Sequence, residues 1–125
     1  MKFSIEPAHP NTILAYAPGA IKVGETVYQR SLILSPSAIV ADWSPQTPEE
    51  LQIGDVERFL PLEPEIVILG TGARLRFPLP ALTQCLMAGH IGFEVMDTAS
   101  ACRTYNVLLG EGRHVAAGLM MIPTY

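Results

Sequence analysis

A chain of 125 residues, with 49% apolar and 16% charged side chains, has the length of one domain and enough apolar surface for a core without disulfides or metals. Its net charge of −4 argues against nucleic-acid recognition, which usually rests on a clustered basic excess. No stretch approaches the roughly 20 continuous apolar residues of a membrane-spanning helix, so no membrane span is expected.

Pro7, Pro10 and Pro18 interrupt the first 18 residues, because each removes a backbone donor from any ladder. Residues 1–18 therefore read as an extended arm with at most a short strand over 12–16, and residues 19–125 as a single domain. From Gly19 the composition turns β-branched and aromatic. A strand over 20–23, a turn at Gly24-Glu25 and a strand over 26–34 make a hairpin. Ser35-Pro36-Ser37 makes the next turn, and residues 38–43 complete an expected antiparallel meander. The stretch 44–64 holds four prolines and reads as a connection. Within it, Thr47-Pro48-Glu49-Glu50 combines a capping residue, a proline at the first helical position and two acids, the signature of a short helix start. A second helical turn is expected over 55–59.

Ile66-Val67-Ile68-Leu69 is an apolar run without alternation, which suits a strand covered on both faces. The turn Gly70-Thr71-Gly72 follows it. Pro78-Leu79-Pro80 leads into a helix of about ten residues with Leu79, Leu82, Cys85 and Leu86 on one face and Gly89 as its stop. A strand over 91–96 comes next. Asp97 caps a helix running to Leu109, with Ala101, Cys102, Tyr105, Leu108 and Leu109 on the apolar side and Ser100, Arg103 and Asn106 opposite. Gly110-Glu111-Gly112 ends it, and residues 115–122 form the last strand. Leu119, Met120, Met121 and Ile122 read there as core rather than as a partner surface. The order strand, helix, strand, helix, strand predicts an α/β domain with right-handed crossovers.

Charge is unevenly spread. Seven acids lie between Asp42 and Glu65 against Arg58 alone, whereas Arg74, Arg76, Arg103 and Arg113 outnumber the acids after Ile66. Cys85 and Cys102 sit in helical patterns without metal-site spacing and read as buried, reduced thiols. The N-terminus carries neither a secretory signal pattern nor an Arg-rich presequence, so a cytoplasmic protein is expected.

The glycine pair at 70 and 72 lacks the third glycine of a dinucleotide fingerprint, for which Leu75 stands, and the prolines delay the helix that should follow. The serines lack a nucleophile-elbow context, and His9, His90 and His114 show no partner pattern. No catalytic residue, metal ligand or cofactor is therefore assigned, and an enzyme is not the expected outcome. What remains is one polar crevice. Ligands of α/β sheets sit at the carboxyl ends of strands, where Gly70-Thr71-Gly72 and Asp97-Thr98 are both expected. Arg74, Arg76 and the N-terminus of the second helix would hold a carboxylate or phosphate there.

Gly70-Thr71-Gly72, Asp97-Thr98 with Ala101, Thr104-Tyr105-Asn106, and Glu111-Gly112-Arg113 before an Ala/Gly-rich strand resemble a family of small domains over residues 20–123. That family includes the mitochondrial complex I assembly factor 3 and the adipogenesis-associated domain protein, with many bacterial and archaeal members. The resemblance implies a three-layer α/β domain with a central mixed sheet, two main helices and an added N-terminal antiparallel β layer. It also implies action through protein contacts and a polar signature at Gly70, Thr71, Gly72, Asp97, Thr98 and Asn106. The expectation is a bacterial, non-catalytic interaction or assembly-type factor with a protein partner. A homo-oligomer would use the apolar excess. The alternative is a small anionic-ligand binder or enzyme using the same crevice.

Overall fold

A computed structural model describes residues 9–121. The first sheet is an antiparallel meander of β1 (Ile13–Ala17), β2 (Ala20–Val23) and β3 (Thr26–Tyr28). β1 falls in the stretch read as an arm with a short strand. Residues 1–8 of that stretch, and Ile122 of the expected last strand, lie outside the described residues.

The strand expected over 26–34 is divided. β3 belongs to the first sheet, whereas β4 (Leu32–Leu34) pairs with β5 (Ile39–Val40) in a second one. The reason is burial: Val27 of β3 is 54% exposed, while Leu32, Ile33 and Leu34 are inaccessible on both faces. One uninterrupted strand cannot meet both conditions. The chain changes layers at Gln29-Arg30-Ser31, where Gln46 Oε1 accepts the Ser31 backbone N–H at 3.2 Å. The strand expected over 38–43 shortens to β5, because Trp43 turns into the core and donates its indole N–H to the Asp55 carbonyl at 3.1 Å.

The connection is structured. Pro48–Glu50 forms a 3-10 turn, and Thr47 before it makes no side-chain cap bond. The helical turn expected over 55–59 starts two residues earlier, as α1 (Ile53–Glu57), because Gln52 and Asp55 make a reciprocal capping box. The Gln52 N–H donates to Asp55 Oδ2 at 2.9 Å.

The second half follows the expected order: β6 (Ile66–Gly70), α2 (Gln84–Ala88), β7 (Gly92–Met96), α3 (Thr98–Gly110) and β8 (Val115–Leu119). The second sheet runs β5-β4-β8-β6-β7, parallel at β8-β6-β7 and antiparallel at β5-β4-β8. It is a mixed central sheet with two outer layers. Since α2 links β6 outward to β7 and α3 returns over β6 to β8, right-handed crossovers require the two helices to lie on opposite faces.

Strand alternation sorts the core accordingly. Leu32, Leu34, Ile68, Val115, Ala117 and Leu119 pack against α3 and the first sheet. Ile33, Val67, Leu69, Ala116 and Met120 pack against α1, α2, Trp43 and Phe59.

The helix after Pro80 differs from expectation in one respect. Its first turn, Pro80–Thr83, is 3-10, and only Gln84–Ala88 is α-helical. Leu79, expected on the buried face, is 71% exposed, because the prolines on either side of it keep residue 79 out of the helix.

Candidate functional site

The carboxyl ends of β6, β7 and β8 meet at one seam, where the loops at Gly70 and Asp97 come together. Asp97 caps α3: its Oδ1 accepts the Ser100 N–H at 2.8 Å and its Oδ2 the Ser100 hydroxyl at 2.9 Å. Thr98 is fully buried. Its Oγ1 accepts the Gly72 N–H at 2.7 Å and donates to the Met120 carbonyl at 2.7 Å, while its own N–H donates to the Gly72 carbonyl at 2.8 Å. Gly70 lets α3 approach, since a Cβ there would sit 3.0 Å from Ala101 Cβ and 3.1 Å from Thr98 Cα. Gly72 takes φ +96, a left-handed value that favours glycine.

Thr71 is also fully buried. Its hydroxyl lies 2.6 Å from the Arg74 carbonyl, to which it donates, and accepts the Arg76 N–H at 3.1 Å. The Thr71 N–H donates to the Met96 carbonyl at 2.9 Å. The two threonine hydroxyls thus spend their donors and acceptors on backbone, joining three strand ends and one helix.

Among the other sequence-derived site residues, Arg76 reaches away from the seam to Glu49, at 2.8 Å. Arg74 is exposed. Asn106 stands more than two turns along α3 from Asp97 and serves β1, with Oδ1 accepting the Ile13 N–H at 2.9 Å and Nδ2 donating to the Ile13 carbonyl at 2.8 Å. Gly70, Thr71, Gly72, Asp97 and Thr98 are brought together; Arg76 and Asn106 are not part of that cluster.

The Asp97 carboxyl is held below the usual carboxylate range, chiefly by the Ser100 backbone N–H. A folded pKa below the unfolded one adds stability that is present above the unfolded value and lost as pH falls through the folded value. Glu65, lowered chiefly by the His114 backbone N–H, contributes with the same sign. Asp97→Ala is expected to cost about 1 kcal/mol in denaturant unfolding at neutral pH. Asp97→Asn, which keeps the cap without the titration, should show a shallower loss of stability on acidification.

Cys102 lines a hollow of about 260 Å³ between β1 and α3, with Tyr16, Arg103 and Asn106. Burial pushes its thiol up to about 12, which keeps it protonated at neutral pH. Alkylation of the native protein at mildly alkaline pH should therefore modify the partly exposed Cys85 well before Cys102, with both reacting after denaturation.

The residues that sequence reasoning missed lie directly after the seam. Leu75, Phe77 and Leu79 are 49%, 74% and 71% exposed, while Arg76 and Pro78 between them are half-buried. This is an extended segment whose apolar side chains face outward. The signal was present as a period-two alternation over 75–79 with flanking prolines. Met87 on α2 and Ile53 on α1 add exposed apolar surface.

Comparison with known proteins assigns the chain. A family model described as a protein of unknown function, DUF498/DUF598, matches residues 13–120. The chain belongs to the DUF498 family. Complex I assembly factors are among its relatives, as the resemblance implied. The zebrafish (Danio rerio) NADH dehydrogenase [ubiquinone] 1 alpha subcomplex assembly factor 3 is 31% identical over 121 residues, 94% of this chain and 68% of that protein. This chain spans about half the length of the mammalian relatives it matches, 53% of the human one. The chain is also similar to a 13 kDa major membrane protein of Francisella tularensis, 32% identical over 77% of each chain. A Bordetella parapertussis crystal structure, 35% identical, superposes with a TM-score of 0.85 over 93% of this chain and 100% of that one.

Proposed function

We propose that this DUF498 member is a non-catalytic, assembly-type factor that works through protein contacts, with the seam as a rigid base and the segment after it as contact surface. The observation that carries this reading is the outward-facing apolar strip Leu75, Phe77 and Leu79. A small domain does not ordinarily hold three large side chains outward in one extended segment without a surface to cover them. The match to assembly factors of complex I supports the same reading, while the identity of the assembled complex belongs to those proteins. A cytoplasmic location is part of the proposal, and fractionation of the source cells checks it.

Affinity purification of the tagged chain from its own organism, with quantitative mass spectrometry, tests the interaction. Recurrent recovery of one defined partner is expected, and recovery of none under gentle lysis would count against the reading. In the alternative, a small anion binds where the Gly70 and Asp97 loops meet. Arg76 is engaged by Glu49, which leaves exposed Arg74 as that reading's cation. A thermal shift with phosphates or carboxylates that Arg74→Ala abolishes would favour it.

A further inference from the structure

The layer formed by α1, α2 and the 3-10 turns carries two features side by side. One is the exposed apolar surface at Phe77 and Leu79, with Ile53 on α1 and Met87 on α2, 51% and 72% exposed, on the two helices that pack against the turn following Leu79. The other is an open cleft of about 580 Å³ lined by Glu49, Glu50 and Asp55 together with Ser44 and Gln52. The Arg76–Glu49 ion pair ties the strip to the cleft at 2.8 Å, and α1 packs on the turn Pro80–Thr83.

The charge at this face is one-sided. Among the described residues, Arg76 pairs with Glu49 and Arg58 with Asp42, and no ion pair compensates Glu50, Asp55 or Glu57. The hydrogen bonds that Glu50 and Asp55 accept come from the backbone N–H groups of Gln46 and Gln52, which leave the net charge in place.

We infer that the acidic cleft and the apolar strip together form a docking face for a basic, amphipathic segment of a protein partner; this deepens the interaction reading above and rests on it. Apolar anchors of the segment cover Phe77, Leu79, Ile53 and Met87. Its Lys or Arg side chains enter the cleft, where complementary charge sets orientation and association rate. The same acids repel phosphate backbones and anionic lipid headgroups, which favours a protein over a nucleic acid or a membrane surface.

The test uses the full-length, isotope-labelled chain and two synthetic helical peptides. Both carry leucines at helical spacing; one bears lysines on the remaining face and the other glutamates. The basic peptide is expected to shift the backbone amides of Glu50, Ile53, Phe77, Leu79 and Met87 while leaving Val27 and Val107, exposed on other elements, unmoved. Phe77→Ser with Leu79→Ser should weaken this binding roughly 10-fold or more, and Glu49→Gln with Glu50→Gln should flatten its salt dependence. These side chains are largely exposed, so a dispersed amide spectrum serves as the control for folding. Absence of shifts, equal binding of the acidic peptide, or the same shifts on raising protein concentration alone would overturn the proposal; the last would make a second copy the occupant. If the Phe77/Leu79 variant recovers the cellular partner as well as the parent does, this face is wrong and the interaction reading stands. If neither recovers a partner, the reading itself fails.

Discussion

Gly118→Ala is expected to destabilise the protein by about 3 kcal/mol or more, and Gly118→Val to prevent folding, because overpacking a tight core is strongly unfavourable. Gly118 lies in β8, paired with Ile33 on one side and Leu69 on the other. Trp43 and Phe59, both buried, pack edge to face above it with ring centroids 5.6 Å apart. A Cβ at Gly118 would lie 2.7 Å from Phe59 Cζ, 2.7 Å from Trp43 Cη2 and 2.9 Å from Trp43 Cζ3. Rings locked in a core cannot withdraw as a flexible chain end would. Denaturant unfolding measures the loss. Adding Phe59→Leu to Gly118→Ala should return part of it, and a double variant no better than the sum of the singles would refute the steric cause.

The second large effect is at Thr98. Thr98→Val keeps shape but removes the hydroxyl that accepts from Gly72 and donates to Met120, both at 2.7 Å and fully buried. Each orphaned backbone group costs on the order of 1–3 kcal/mol, so a loss of about 3 kcal/mol is expected. Hydrogen exchange at Gly72 should accelerate in the same variant. Thr98→Ser keeps the hydroxyl and should retain most of the stability. A Thr98→Val protein as stable as the parent would show that the seam is not held by this hydroxyl.

The parts of the fold legible in the sequence are those where local signals agree. Ile66-Val67-Ile68-Leu69 is apolar on both faces and lies in the sheet interior between β8 and β7. Asp97 reads as a cap and accepts the Ser100 N–H. The division of residues 26–34 between two sheets was not legible, because it depends on which layer covers Leu32, a tertiary fact without a local marker. Leu79 was misplaced because helical spacing to Leu82 and Leu86 outweighed the prolines beside it.

At the site, the sequence brought Gly70–Thr71–Gly72 and Asp97–Thr98 to adjacent strand ends, where the structure places them. It carried no sign that both threonine hydroxyls would be consumed by backbone partners: those of Thr98 lie more than twenty positions away, and those of Thr71, at Arg74 and Arg76, lie in an irregular loop without a local pattern. Nor did it mark Asn106 as the residue that holds β1 through both Ile13 backbone groups.

Photo-crosslinking in living cells from position 77, with position 27 as the control, tests the interaction account most directly. Phe77 and Val27 are both exposed, Val27 in the first sheet and Phe77 in the segment between β6 and the turn at Pro80. The account predicts one reproducible adduct with a different protein from position 77 and none from position 27. No adduct from position 77, or an adduct with a second copy of this chain alone, would contradict it.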